Sequence, residues 1–127
     1  MNSSKKTLRG GIRALVVAAG VLVVGVGGAQ AATLASGPLR VADQNSYSCT
    51  AVNVGGGDIA VAVKVTIDGG GGGATKSCAP LSPTGVCAAE NDAGSTAYRF
   101  CTITTSNKKG TRGTFCNTST GICVPVQ

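Results

Sequence analysis

The chain of 127 residues has no histidine, no tryptophan and a single methionine, its first residue. Without an imidazole there is no Ser-His-Asp triad, no histidine-ligated zinc or haem, and no side chain whose ordinary pKa lies near neutral pH. Aromatics are scarce: two Tyr and two Phe leave a core to Val, Ile and Ala and offer little for stacking nucleic-acid bases. The six cysteines include no Cys-x-x-Cys pair, which removes the usual zinc-knuckle and thioredoxin-type signals. No window carries a helical period of apolar residues, and the acids number only five.

What is present begins with a net charge of +6, whose position matters more than its size. Residues 1 to 31 hold four of the eleven basic residues (Lys5, Lys6, Arg9 and Arg13) and none of the acids. The rest of the chain sets seven Lys and Arg against Asp43, Asp58, Asp68, Glu90 and Asp92, a balance of +2. Such a domain attracts phosphate backbones weakly, and no specific nucleic-acid partner is expected.

The N-terminus has the plan of a secretory signal peptide: a basic region ending at Arg13, an apolar run of 13 residues from Ala14 to Val26, and the small-residue stretch Ala29-Gln30-Ala31. The expected cut falls between Ala31 and Ala32, leaving an exported domain over residues 32–127, secreted, periplasmic or at the cell surface. The run is shorter than the roughly 20 residues a spanning helix needs, so no membrane span is expected after cleavage; an uncleaved anchor is the alternative. No Arg-Arg pair precedes the run, and no cysteine stands at the cut to take a lipid.

Export sets the meaning of the cysteines, all of which follow the cut. An even number in an oxidising compartment is a disulfide framework before it is a metal site or a nucleophile. Strand placement then selects partners. Ile59 to Asp68 alternates Ile59, Val61, Val63, Val65 and Ile67 with small or polar residues, the period of a half-buried strand. Tyr47 to Val54 precedes it across Gly55-Gly56-Gly57-Asp58, and Thr96 to Thr105 alternates Cys101 and Ile103 against Tyr98, Phe100 and Thr102. Thr111 to Cys116 and Ile122 to Val126 complete a meander, with weaker strands at Leu39 to Ala42, Thr75 to Ala79 and Val86 to Glu90. The pattern predicts an all-β sandwich of about seven short strands. On it, Cys116 and Cys123 flank the last hairpin turn, Cys78 and Cys87 close the loop from Pro80 to Gly85, and Cys49 with Cys101 bridges the sheets.

Cys49 in an early strand, Cys101 in a late one and Tyr98 shortly before it resemble the immunoglobulin-type sandwich. Tyr98 stands three residues before Cys101 where a tyrosine corner has it two before, and no Trp packs on the bridge. The run Asn53-Val54-Gly55, then Ile59-x-Val61-x-Val63 and Asp68-Gly69, is similar to bacterial adhesion-type Ig-like domains of secreted proteins. The resemblance covers about a third of the exported part. It implies a bacterial domain that binds or spaces rather than catalyses, and it transfers no functional residue.

Three motifs are tempting. Asp68-Gly69-Gly70-Gly71-Gly72-Gly73-Ala74-Thr75-Lys76-Ser77 nearly matches two phosphate loops, but both need a helix next and the chain continues Cys78-Ala79-Pro80, so a flexible hairpin connection is expected. Ser106-Asn107-Lys108-Lys109 fits the S-x-x-K pattern, in a polar turn where the lysines stay protonated. Glu90-Asn91-Asp92-Ala93-Gly94-Ser95 lacks calcium-loop spacing and is expected to be a turn; no metal and no cofactor is expected. Acid-base catalysis would fall to Asp58, Asp68, Glu90 or Asp92, no pair of which has a spacing that brings two carboxylates together in sequence. No enzyme is expected.

Lys108, Lys109 and Arg112 remain, cations that no acid opposes between Asp92 and the C-terminus. They form a candidate docking site for an anionic surface: cell-wall polymer, lipid head group or acidic protein. The expectation is an exported, non-catalytic binding or cell-surface accessory module. Its rival is a secreted inhibitor or cationic effector that presents a disulfide-closed loop.

Overall fold

The computed structural model describes residues 30–127. The signal segment expected over residues 1–31, Ala29 included, lies outside the described residues but for Gln30 and Ala31.

The strictest alternation in the sequence becomes β4 (Ile59–Ile67), with Ile59, Val61, Val63 and Val65 buried and Ala60, Ala62 and Lys64 exposed. Around it the described residues form β1 (Ala32–Ala35), β2 (Leu39–Val41), β3 (Ser46–Asn53), β5 (Gly72–Leu81), β6 (Val86–Asp92), β7 (Ala97–Thr105), β8 (Thr111–Asn117) and β9 (Ile122–Val126), with no helix. Every strand pairing is antiparallel. One sheet runs β1-β7-β4-β5, with β2 also on β7, and the other runs β6-β3-β8-β9. The inner faces share a core of Leu34, Val41, Val63, Val65, Ile103 and Val126, with Tyr47 edge-on to Phe115. Gly113 is obligatory here, because a Cβ would collide with the side chains of Ile103 and Val126.

The sheets are tied at centre and edges. Cys49 on β3 bonds Cys101 on β7, both fully buried, with Cα atoms 5.9 Å apart. Cys78 on β5 bonds Cys87 on β6 and joins one pair of edges, Cα atoms 6.0 Å apart. The opposite edges meet by hydrogen bonds, the Ala35 N–H to the Gln127 carbonyl at 2.9 Å and the Gln127 N–H to the Ala35 carbonyl at 3.2 Å. The third bond, Cys116 to Cys123, spans directly paired residues of the β8-β9 hairpin. Three disulfides are compatible with an oxidising, extracellular environment. Among the described residues no helix is long and apolar enough to cross a membrane.

Three expectations need correction. Among the described residues nine strands replace about seven; β1 escapes the pattern because only Leu34 of its four residues is buried and its pairing partner, β7, lies some 70 residues on. The glycine run is only partly a connection. Gly69 and Gly70 turn with φ of 89° and 96°, but Gly72 and Gly73 already belong to β5, and Gly73 packs so tightly on the Val65 backbone that any Cβ would clash. Glu90-Asn91-Asp92 is the end of β6 rather than a turn, since Ser46, Tyr47 and Ser48 of β3 extend the ladder to Asp92.

Candidate functional site

The turn between β7 and β8 is built by hydroxyls and one amide. Thr105 Oγ1 and Thr111 Oγ1 lie 2.7 Å apart across its base, and the Thr111 hydroxyl also donates to the Asn107 carbonyl at 2.7 Å. Asn107 Oδ1 accepts the Gly110 N–H at 3.0 Å, an Asx-type closure that leaves no room for a side chain at Gly110. This frame holds Lys108 and Lys109 out in solvent. Arg112, at the start of β8, is also exposed; its guanidinium Nη1 donates to the carbonyls of Thr111 at 3.0 Å and Lys109 at 3.2 Å, which fixes it over the turn.

Lys108 and Arg112 line one open groove with Leu34, Thr111, Gly113, Pro125, Val126 and Gln127. No side-chain carboxylate lines it, and the apolar part comes from β1 and β9. Lys109 is exposed on the same turn but does not line the groove. An anion entering here meets the exposed Lys108 ammonium and the Arg112 guanidinium, the latter already held by backbone carbonyls, beside an apolar strip that suits a ligand with some hydrocarbon surface.

The other motif residues are placed differently. The glycine run leads into strand β5 and so lacks the helix N-terminus a phosphate loop requires. Ser106 locks the turn, its Oγ accepting the Ala60 N–H at 3.0 Å, and Lys109 follows in the same strand-to-strand connection rather than on a helix. Glu90 and Asp92 stand on one face of β6, because in a strand residues two apart share a face. Ser46 donates to Asp92 and Ser48 to Glu90, and these residues line a second open groove with Tyr47, Asn91 and Thr118.

Two residues hold structural roles that the sequence pattern does not assign them. Asn53 is completely buried; its Nδ2 donates to the carbonyls of Gly57 and Leu81, each at 2.8 Å, and its Oδ1 accepts the Gly55 N–H, so one amide pins the β3-β4 connection to the end of β5. Arg99 is 1% exposed. Its guanidinium stacks on the Tyr47 ring at 5.1 Å and donates to the Ser95 carbonyl at 3.3 Å and, more weakly, to that of Val41 at 3.5 Å, while Nε has no partner. Parity was the available signal, because Arg99 shares the odd-numbered face of β7 with Cys101 and Ile103.

Comparison with protein-family models, with curated proteins and with solved structures yields no significant match.

Proposed function

We propose that the chain is an exported, non-catalytic binding module of the cell surface, built as an Ig-like sandwich, that docks on anionic surfaces through Lys108, Lys109 and Arg112. The observation that carries this reading is the convergence of Lys108 and Arg112 on one open groove without a side-chain carboxylate in its lining. The fold supports the rest. Three disulfides suit an oxidising compartment, and a signal cut after Ala31 would leave β1 whole, with Ala32 paired to Thr105. An accessory role needs a rigid presenting frame, which the covalent ties supply.

Replacing Lys108, Lys109 and Arg112 together with Ser should abolish binding to vesicles containing phosphatidylglycerol and to an anionic-polymer column. The unfolding midpoint should stay unchanged, because all three side chains face solvent. Wild-type binding should weaken steeply with added salt. Binding that survives both the substitution and high salt would refute the reading.

A second reading, a secreted inhibitor, draws on the Cys116–Cys123 hairpin. Its turn residues 118–121 are exposed, Ile122 is 59% exposed, and Asn117 Oδ1 holds the turn by accepting the N–H groups of Ser119 at 3.1 Å and Thr120 at 3.2 Å. Such a disulfide-closed turn is preorganised for insertion into a cleft. On this reading a protease panel assayed with micromolar protein shows inhibition of at least one enzyme that Ile122→Asp removes; a panel untouched by the wild type eliminates it.

A further inference from the structure

The chain owns four aromatic rings, and the core takes only Tyr47 and Phe115. The other two, Tyr98 and Phe100, stand two residues apart on the outward parity of β7, Tyr98 50% exposed and Phe100 partly so. In a domain this poor in aromatics a ring stabilises most when buried, so spending half of them on one outer face calls for something that stacks there. Along a strand their spacing is roughly 7 Å. The register surrounds them with polar groups: Arg40 pairs directly with Tyr98, Thr66 pairs with Phe100, and Lys64 pairs with Thr102. On the far side of Tyr98 from Arg40 lies Asp68, whose N–H bonds the Tyr98 carbonyl at 2.9 Å.

We propose that this outer face of the β1-β7-β4-β5 sheet is a carbohydrate-binding platform for an uncharged polysaccharide. Tyr98 and Phe100 stack on neighbouring pyranose rings, and Arg40, Asp68, Thr66 and Thr102 exchange hydrogen bonds with the hydroxyls. Two rings in a row among groups of both signs favour this occupant. Arg40 and Asp68 flank Tyr98 from opposite sides and offset each other there, while Lys64, one pair beyond Thr66, adds a single cation, so the row offers donors and an acceptor beside the rings, which matches a polymer rich in hydroxyls. A polyanion would meet Asp68 here, whereas the groove of Lys108 and Arg112 beyond the other end of β7 has no side-chain carboxylate in its lining. The platform shares no residue with that groove and does not depend on it.

The test is co-sedimentation of the protein with insoluble cellulose, chitin and curdlan at high salt, where ionic attraction is screened. Wild type should be retained by at least one of them. Tyr98→Thr and Phe100→Thr, which keep strand propensity, should each weaken retention roughly tenfold, as loss of a stacked ring does, and leave the fold intact. Arg40→Gln, at an exposed position, gives a second loss that no unfolding can mimic, and the Lys108, Lys109 and Arg112 triple variant should bind the polymers as wild type does. No retention on any neutral polymer overturns the proposal. So does retention confined to acidic polymers such as alginate, or retention that the ring variants leave unchanged.

Discussion

Replacing Cys49 and Cys101 together with alanine is expected to lower the unfolding free energy by about 4 kcal/mol, the chain-entropy cost of releasing a loop of 52 residues. The Cys78–Cys87 and Cys116–Cys123 bonds close separations of only 9 and 7 residues, and removing either should cost about 2.5 kcal/mol. Packing sharpens the difference. Cys49 and Cys101 are completely buried in the middle strands of their sheets, so alanines there also leave a void between the layers, while Cys123 is exposed. A domain of this size is stable by only about 5 to 15 kcal/mol, so the central variant should lie near its limit at 37 °C. Urea midpoints of the three double variants, measured with the other bonds intact, check the order. If either edge pair proves the costlier loss, the sheets are held mainly at their margins and the long-loop account fails.

Replacing Tyr47 with leucine should destabilise the domain by about 3 to 5 kcal/mol, more than loss of the ring's packing alone, because it strips a buried cation of its main partner. Arg99 has no hydrogen bond to a carboxylate. Its hydrogen bonds to the Ser95 and Val41 carbonyls are 3.3 Å or longer, and Nε is bare, so the Tyr47 face at 5.1 Å carries much of the compensation for desolvating the charge. Arginine does not escape by losing its proton. Arg99→Met, which keeps length and removes the charge, should therefore be mild, and the double variant Tyr47→Leu with Arg99→Met should be more stable than Tyr47→Leu alone. Chemical denaturation of the four proteins forms a complete cycle. Additive losses would show that Tyr47 acts as an ordinary core ring with no debt to the guanidinium.

Much of this molecule was legible in its residues, and the reasons are local. The alternation from Ile59 to Ile67 can satisfy itself in only one way, with the β-branched face inward, and β4 is that strand. The same period separates Cys101 and Ile103 from Tyr98, Phe100 and Thr102 on β7, so the two rings on the outer face were visible before any pairing was known. Cys116 and Cys123 flank a turn, and the structure joins them across it. Other features stayed hidden for equally physical reasons. Period two also puts Glu90 beside Asp92, yet this required knowing that β6 continues past residue 90, which is decided by Ser46 to Ser48 on a different strand. Gly73 looked like linker because the Val65 backbone it packs against is known only once β4 and β5 are paired.

The residues alone determined an all-β chain whose apolar parity, turn positions and even count of six cysteines called for two layers and covalent ties, because alternation and turn chemistry act over a few neighbouring positions. Tertiary structure decided the order β1-β7-β4-β5 and β6-β3-β8-β9, the burial of Arg99 under Tyr47, and the groove that gathers Leu34, Lys108, Arg112 and Val126. Those choices turn on contacts between segments tens of residues apart. Their energies depend on how two whole faces pack against each other, a quantity that no local window contains.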